Sequence, residues 1–359
     1  MEKVFSMNAG DGDSSYAQNS TFLQKNVLLS AKPFLEESIS SWKNTFDCET
    51  LRIADLGCSS GPNGLFVTEV ITAAIRNKYA LNGISVPEFQ VFYNDLPSTD
   101  FNSLFRILSA APPLEGSYFI AGVPGSFHNR LFPPNSLHFV HSSYALHWLS
   151  QVPQQVEDKN CECWNRGRIF ISEQGPSGVA DAYFAQFQKD FNAFLRAREK
   201  EMVVGGRMFL VVNGRLTADR KKQGSPGFYC EMLGCAIQDL VSQGLIEEEK
   251  LDSFNIPYYG PSPEELKNEV QKQGSFTIVG LKVIIGRYNV ENIDDNKKEL
   301  NAKFFSKQMR AVLESLISYH FGGGVVDAIF NKCAEILTNK MVESLENLNK
   351  STKLVLVLE

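Results

Sequence analysis

The chain has 359 residues, 43% of them hydrophobic, enough to bury a large core as one big domain or one domain with an insertion. A formal charge of −6 without any basic run argues against a nucleic-acid polyanion as partner, and no apolar run approaches the roughly 18 residues that a membrane-spanning helix needs. Seven scattered cysteines include one close pair, Cys161 and Cys163, with no second pair to complete a zinc site; reduced thiols in a cytoplasmic protein are expected, and residues 1–16 hold no apolar segment of a secretory signal.

Residues 6–20 form a Gly/Asp/Ser segment leading into a helix over roughly 20–44. The hydrogen-bonding side chains of Tyr16, Gln18, Asn19 and Ser20 suit a lid over a ligand, the alternative being a loose terminus. A short buried strand over 51–56 follows. It runs into the turn Gly57-Cys58-Ser59-Ser60-Gly61 and a helix over 62–80, opened by Pro62, whose missing N–H would be orphaned there anyway. Ser59 and Ser60 are candidate caps. Strand, small-residue turn and helix build the cofactor crevice of doubly wound α/β folds. The glycines miss the G-x-G-x-x-G spacing and no lysine follows to hold a phosphate, which excludes a P-loop. Asp55, ahead of the turn, would repel a pyrophosphate and suits a cationic, phosphate-free ligand. S-adenosylmethionine, with its sulfonium and ammonium groups, is one; a plain turn without ligand is the alternative.

A strand over 88–93 ends in Asn94-Asp95-Leu96-Pro97. Asp95 there can accept ribose hydroxyls or cap the next helix. A third strand over 118–121 leads to Gly122-Val-Pro-Gly-Ser126-Phe127-His128, where Ser126 and Phe127 can bond and stack an adenine. A fourth strand over 136–142 runs into Tyr144-Ala-Leu-His147-Trp148, an aromatic cluster that is either core or pocket wall. A short strand is expected over 169–172 and an amphipathic helix over 178–202, ended by Gly205-Gly206 before a main strand over 207–212. Beyond Asn213 the pattern predicts helices over 228–245 and 262–273, a strand over 276–283, a charged loop over 289–301, helices over 302–320 and 325–348, and a final strand over 353–359. The core sheet is thus expected over about 45–213, 275–287 and 352–359, with a helical cap from about 1–30, 214–270 and 289–350.

Several long motifs in order resemble the plant SABATH methyltransferases, over essentially the whole chain. They are Ser-Tyr-Ala-Gln-Asn-Ser (15–20), Ala-Asp-Leu-Gly-Cys-Ser-Ser-Gly-Pro-Asn (54–63), Asn-Asp-Leu-Pro-Ser-Thr-Asp-Phe-Asn (94–102), Gly-Val-Pro-Gly-Ser-Phe (122–127), Arg-Leu-Phe-Pro (130–133), His-Ser-Ser-Tyr (141–144), His-Trp-Leu-Ser-Gln-Val-Pro (147–153) and Glu-Glu-Glu-Lys-Leu-Asp-Ser-Phe-Asn-Ile-Pro (247–257). The resemblance implies an α/β fold with a Rossmann-like class I methyltransferase sheet and an α-helical cap, as a homodimer. It also implies S-adenosylmethionine as cofactor, held by Tyr16, Asn19, Ser20, Asp55, Gly57, Cys58, Asn63, Asp95, Leu96, Ser126 and Phe127. The acceptor pocket would be lined by residue 23, Tyr144, His147, Trp148, Tyr259 and Met309, with the Trp148 indole N–H bonding a substrate carboxylate as the catalytic contact. A magnesium ion, carried by some members, would take Asn165, Asp252, Asn255 and the carbonyl of Phe254, all hard oxygen donors; an ion-free surface turn is the alternative.

Two positions depart from the family pattern. Carboxylate methylators carry a glutamine where this chain has Leu23, and Gln24 is turned about 100° away on a helix. Cys230 stands where salicylate-methylating members carry tryptophan, which widens the pocket. The expected reaction is formation of a methyl ester from a small plant acid, such as salicylate, benzoate, indole-3-acetate or a jasmonate-like acid. A carboxylate is ionised at neutral pH and needs no general base, so alignment and desolvation would supply the rate. The alternative is N-methylation of a xanthine or pyridine carboxylate.

Overall fold

The computed structural model describes residues 7–8, 10, 12, 15–110, 118–286, 295–341, 343–344, 346 and 351–359; the side chains of residues 17, 20–28, 295 and 296, those of Ser20 and Leu23 among them, lie outside the described residues. Seven strands form one sheet in the order β3-β2-β1-β4-β5-β7-β6. They are β1 (Thr50–Leu56), β2 (Glu88–Asp95), β3 (Tyr118–Pro124), β4 (Leu137–Ser143), β5 (Met202–Gly214), β6 (Ile278–Ile285) and β7 (Thr352–Leu358). The first five are parallel; β7 inserts antiparallel between β5 and β6.

Both faces of the sheet are covered, and strand alternation sorts side chains between them. Leu51, Ile53, Phe139, Phe209, Val211, Val355 and Val357 join one buried cluster with helices α1 (Tyr16–Ser40) and α2 (Asn63–Leu81). Ala54, Leu56, Val140, Leu210, Val212, Leu354 and Leu356 join the other. That second cluster takes the Tyr183, Phe187, Phe191, Phe194 stripe of α4 (Ser177–Glu201), which follows the short α3 (Phe101–Ala110). It extends into α5 (Gly224–Ser242), α6 (Glu248–Asp252), α7 (Pro263–Gln273), α8 (Asp295–Phe321) and α9 (Val326–Asn339). Helices α5, α8 and α9 pack on one another as the cap, whereas α7 packs on α4 and β6.

Several local expectations are corrected. Residues 169–172 form no strand: Ile169, Phe170 and Ile171 are buried, but the Ile169 and Phe170 carbonyls accept from the Ile256 N–H and the Asn165 amide instead of a ladder. Gly205-Gly206 does not end a helix. α4 stops at Glu201, and both glycines lie in β5 at an irregularity between Leu137 and Phe139 pairings, where Trp42 and Asn44 donate to the Gly205 carbonyl. Neither Ser59 nor Ser60 caps α2, whose N-cap is Pro62 without a side-chain bond. Of the expected loop, residues 295–301 are helical. Cys161 and Cys163, brought to a Cα separation of 5.1 Å by their turn, are joined as a disulfide, against the expectation of reduced thiols; Cys48, Cys58, Cys230, Cys235 and Cys333 are free.

A fully buried ion pair ties the end of α4 to the loop after β3. Arg198 donates from Nε to Glu201 Oε2 (2.8 Å) and from its two Nη groups to the Phe127 and Asn129 carbonyls (2.9 and 3.0 Å). Glu201 Oε1 accepts the Leu131 and Phe132 N–H groups at 2.5 and 3.0 Å. Burial lowers the pKa of Arg198, and Glu201 opposes that. Arg198→Met leaves the Glu201 carboxylate buried without its cation, so a loss of about 3–5 kcal/mol is expected in urea unfolding, with a smaller loss for Arg198→Met combined with Glu201→Gln.

Candidate active site

The sheet order reverses at β1, which pairs with β2 on one side and β4 on the other, so their C-terminal loops part and leave a crevice. Asn94 sets one wall. Its carbonyl accepts the Gly57 and Cys58 N–H groups (2.8 and 3.0 Å), and its amide donates to the Val123 and Gly125 carbonyls (2.7 and 2.9 Å). Asp95 is buried and accepts from Ser59 N at Oδ2 (2.7 Å) and from Leu96 N and Thr99 Oγ1 at Oδ1 (2.7 and 2.9 Å). Burial raises its pKa, and these three bonds oppose the rise. A carboxylate has about four lone-pair positions, so Oδ2 keeps one for a ligand hydroxyl.

On the far side of β1, Asp55 Oδ1 meets His141 Nδ1 at 2.7 Å, both side chains being buried. Ser59 (φ +57°) and Tyr144 (φ +60°) hold left-handed backbone at the crevice, a conformation that costs free energy and needs surroundings that impose it. Gly57 has φ +80°, and a Cβ there would lie 2.3 Å from Ala145 Cβ.

Two cavities open from this crevice. The first is lined by Gly57, Ser59, Asp95, Leu96, Ser126 and Phe127, and a lobe of it by Asp55, Cys58, Asn63 and His141. The second lies under the cap, between Asn213, Cys230, Tyr258, Phe305, Met309 and Lys353. Tyr16, Tyr144 and Trp148 belong to both, so they form the wall across which the two exchange. That wall is pinned from behind. Trp148 bridges Tyr258, Leu149 N donates to the Pro257 carbonyl (2.8 Å), Tyr259 N to the His147 carbonyl (2.9 Å), and Ser150 N and Oγ to Asp190 (2.8 and 2.7 Å). His147 is buried, its Nδ1 accepts the Asn213 N–H at 3.2 Å, and burial with the nearby Lys353 pushes its imidazole down to about 3.

The crevice therefore gathers most residues nominated from sequence, with two corrections. Asn19 lines the second cavity and not the first. Tyr259 lines neither: it is 0% exposed, its hydroxyl bonds Glu265 (3.0 Å), and its ring packs on Phe184 and Phe187. In an extended segment consecutive side chains point to opposite sides, so Tyr258 occupies the place expected for Tyr259. His141, Asn213 and Lys353 were missed. Only His141 had a local signal, in His-Ser-Ser-Tyr at the end of β4.

The expected metal ligands lie elsewhere, and three of their side chains are engaged within the protein. Asn165 Nδ2 donates to Asn255 Oδ1 (2.8 Å), Gly167 N to Asp252 Oδ1 (2.8 Å), and Arg166 Nε stands 3.7 Å from Asp252 Oδ2. A guanidinium beside the only carboxylate is a poor start for a magnesium site, although Asn165 Oδ1 is buried without a partner. None of the four lines either cavity.

The profile of the SAM-dependent carboxyl methyltransferase family matches residues 2–359. The chain belongs to that family, the SABATH methyltransferases. It is 42% identical to a 3,7-dimethylxanthine N-methyltransferase of Camellia sinensis var. assamica, over 100% of this chain and 96% of that one. It is 44% identical to a probable jasmonic acid carboxyl methyltransferase of Theobroma cacao, over 94% of each. The structure of a loganic acid methyltransferase with SAH superposes with a TM-score of 0.88 at 38% identity, covering 98% of both chains. The fold is thus the Rossmann-like methyltransferase fold, and the protein is a SAM-dependent methyltransferase. Its relatives include both N- and carboxyl-methylating enzymes, so identity alone leaves the acceptor atom to the chemistry of the second cavity.

Gly57→Ala puts a methyl group into Ala145 and holds alanine at positive φ. Affinity for S-adenosylhomocysteine, measured by calorimetry, is expected to fall by about tenfold or more. Adding Ala145→Gly removes the clash and restores part of it, leaving a backbone cost of about 1–2 kcal/mol.

Proposed function

We propose that this enzyme esterifies the carboxylate of a small acid, an aromatic or indole acid such as benzoate, salicylate or indole-3-acetate, with S-adenosylmethionine supplying the methyl group. The observation that carries this reading is the wall of Tyr144 and Trp148 between two cavities, with no carboxylate and no free imidazole among the described residues on the acceptor side. Among the described residues lining the acceptor cavity there is no Asp or Glu. Its one histidine, His147, is held neutral and engaged by Asn213. A ring nitrogen that must lose a proton finds neither carboxylate nor free imidazole there, and Lys353, lowered to about 8, is still mostly ammonium at neutral pH; a carboxylate arrives ionised.

In this reading Asp95 takes a ribose hydroxyl at its spare Oδ2 position, Ser126 and Phe127 flank the adenine, and Asp55 with Asn63 lines the lobe for the cationic methionine end. Trp148 donates its indole N–H to the acceptor carboxylate, and Tyr144 packs beside it. Both keep water from the reacting oxygen, so the rate comes from alignment and desolvation. Cys230, small and in the acceptor wall, leaves room beyond one ring. A homodimer in the cytoplasm remains part of the reading. The chemistry does not require the dimer, because one chain supplies every residue named.

The test is methyl transfer from isotope-labelled S-adenosylmethionine to a panel of acids and xanthines. Mild base should release the label as methanol, as from an ester; label retained on the product would mean N-methylation and overturn the reading. Trp148→Phe keeps the ring and removes the donor. It should lower kcat/KM for the best acid by about tenfold or more while S-adenosylhomocysteine binding is unchanged. Dialysis against EDTA should change turnover by less than about twofold, since the candidate magnesium ligands lie outside both cavities.

A further inference from the structure

The acceptor cavity carries one cation that the mechanism above does not use. Lys353 is the second residue of β7, where the antiparallel register sets it beside Asn213 of β5 and Ile284 of β6. Its side chain is half-buried, opens onto the acceptor cavity and donates to Ser351 Oγ, which lines the same wall. The ammonium stands 5.8 Å from the centre of the Tyr144 ring, within reach of the boundary between the cavities. Among the described residues no carboxylate pairs with it, whereas most arginines near the site are paired, Arg198 with Glu201 and Arg215 with Glu265 among them.

We propose that Lys353 is the counter-ion of the acceptor's carboxylate, a specificity-determining contact that selects anionic over neutral acceptors. It rests on the esterification reading and deepens it. The physical case begins with desolvation. A carboxylate entering a largely apolar cavity loses its water, and a single indole N–H restores little of that loss. A cation left without an anion in the same cavity suffers the same penalty, and burial alone pushes the Lys353 ammonium down to about 8. Each charge therefore offsets the cost of the other only when both are present, so the empty enzyme is primed for an anion. The field of this ammonium already reaches the wall, since it contributes to the lowering of His147.

The surrounding groups do not compete. Facing Lys353 across the cavity are the neutral His147, the phenols of Tyr144, Tyr229 and Tyr258, and the Cys230 thiol, which burial pushes up to about 12. Burial raises Tyr258 well above the ordinary phenol range. On β6, Lys282 is turned over the Phe34 ring at 5.6 Å. With Leu23 in place of the glutamine expected of carboxylate methylators, Lys353 supplies from β7 a second contact that the first helix does not offer.

The test compares wild type, Lys353→Met and Lys353→Arg as intact enzymes, with benzoate, indole-3-acetate and 7-methylxanthine as acceptors. The lowered pKa means the cation is present below about pH 8 and lost above it, while the acid stays ionised throughout. Wild-type kcat/KM for the acid should therefore fall about tenfold per unit above that pH. Lys353→Met should raise KM for the acid by about tenfold or more with a smaller change in kcat, and should lack the alkaline fall. Lys353→Arg should keep turnover of the acid and carry it past pH 10, because guanidinium does not titrate there. S-adenosylhomocysteine binding reports folding of each variant; if Lys353→Met fails it, the wild-type and Lys353→Arg profiles decide. Esters formed by Lys353→Met with wild-type KM and pH profile would overturn the role of Lys353 and leave the esterification reading standing. A dimethylxanthine as the only wild-type product would overturn both.

Discussion

The molecule is organised by a strand that must satisfy two neighbours at once. β1 gives its hydrogen bonds to β2 on one side and β4 on the other, and the chain leaving each strand has to turn away over a different face. The opening this forces is lined by backbone that has run out of ladder partners, and Asn94 closes that account by serving the turn after β1 and the loop after β3 together. Gly57 is the narrowest point. Its positive φ and its approach to Ala145 leave space for a hydrogen and nothing more.

Around that opening the structure spends buried charge on positioning. Arg198 and Glu201 bury a full ion pair to hold the loop that carries Ser126 and Phe127, satisfying four backbone groups between them. Asp190 does the same for Ser150, behind Trp148. These groups touch neither cavity's reacting wall; they fix where the wall stands, which is what a reaction driven by alignment requires. Within the acceptor cavity the balance is reversed: among the described residues its wall carries the Lys353 ammonium without a carboxylate partner, and neutral polar groups among apolar surface.

Much of the site was legible because it is local. The turn at 57–61, the acid at the end of β2 and the Tyr144–Trp148 cluster each lie within a few residues of a strand end, where parallel sheets present ligands. The errors came where a tertiary contact overrode the local signal. Ile169, Phe170 and Ile171 read as a strand because they are apolar, yet the Ile169 and Phe170 carbonyls are met by Ile256 and Asn165 from the loops. Gly205 and Gly206 read as a helix stop, yet Trp42 and Asn44 claim the Gly205 carbonyl inside β5. Tyr259 and Tyr258 differ by one residue, and in an extended segment that is the difference between core and cavity.

By itself the sequence determined the strand–turn–helix crevice, the family and the chemistry of a phosphate-free cationic cofactor, since these depend on residue types at short spacing and on long motifs in order. Only the tertiary structure decided what faces the acceptor. β7 lies nearly 140 residues after β5 in the chain, and its antiparallel insertion alone brings Lys353 beside Asn213 and Tyr144. No spacing rule encodes that meeting, because it is set by how distant elements share one sheet.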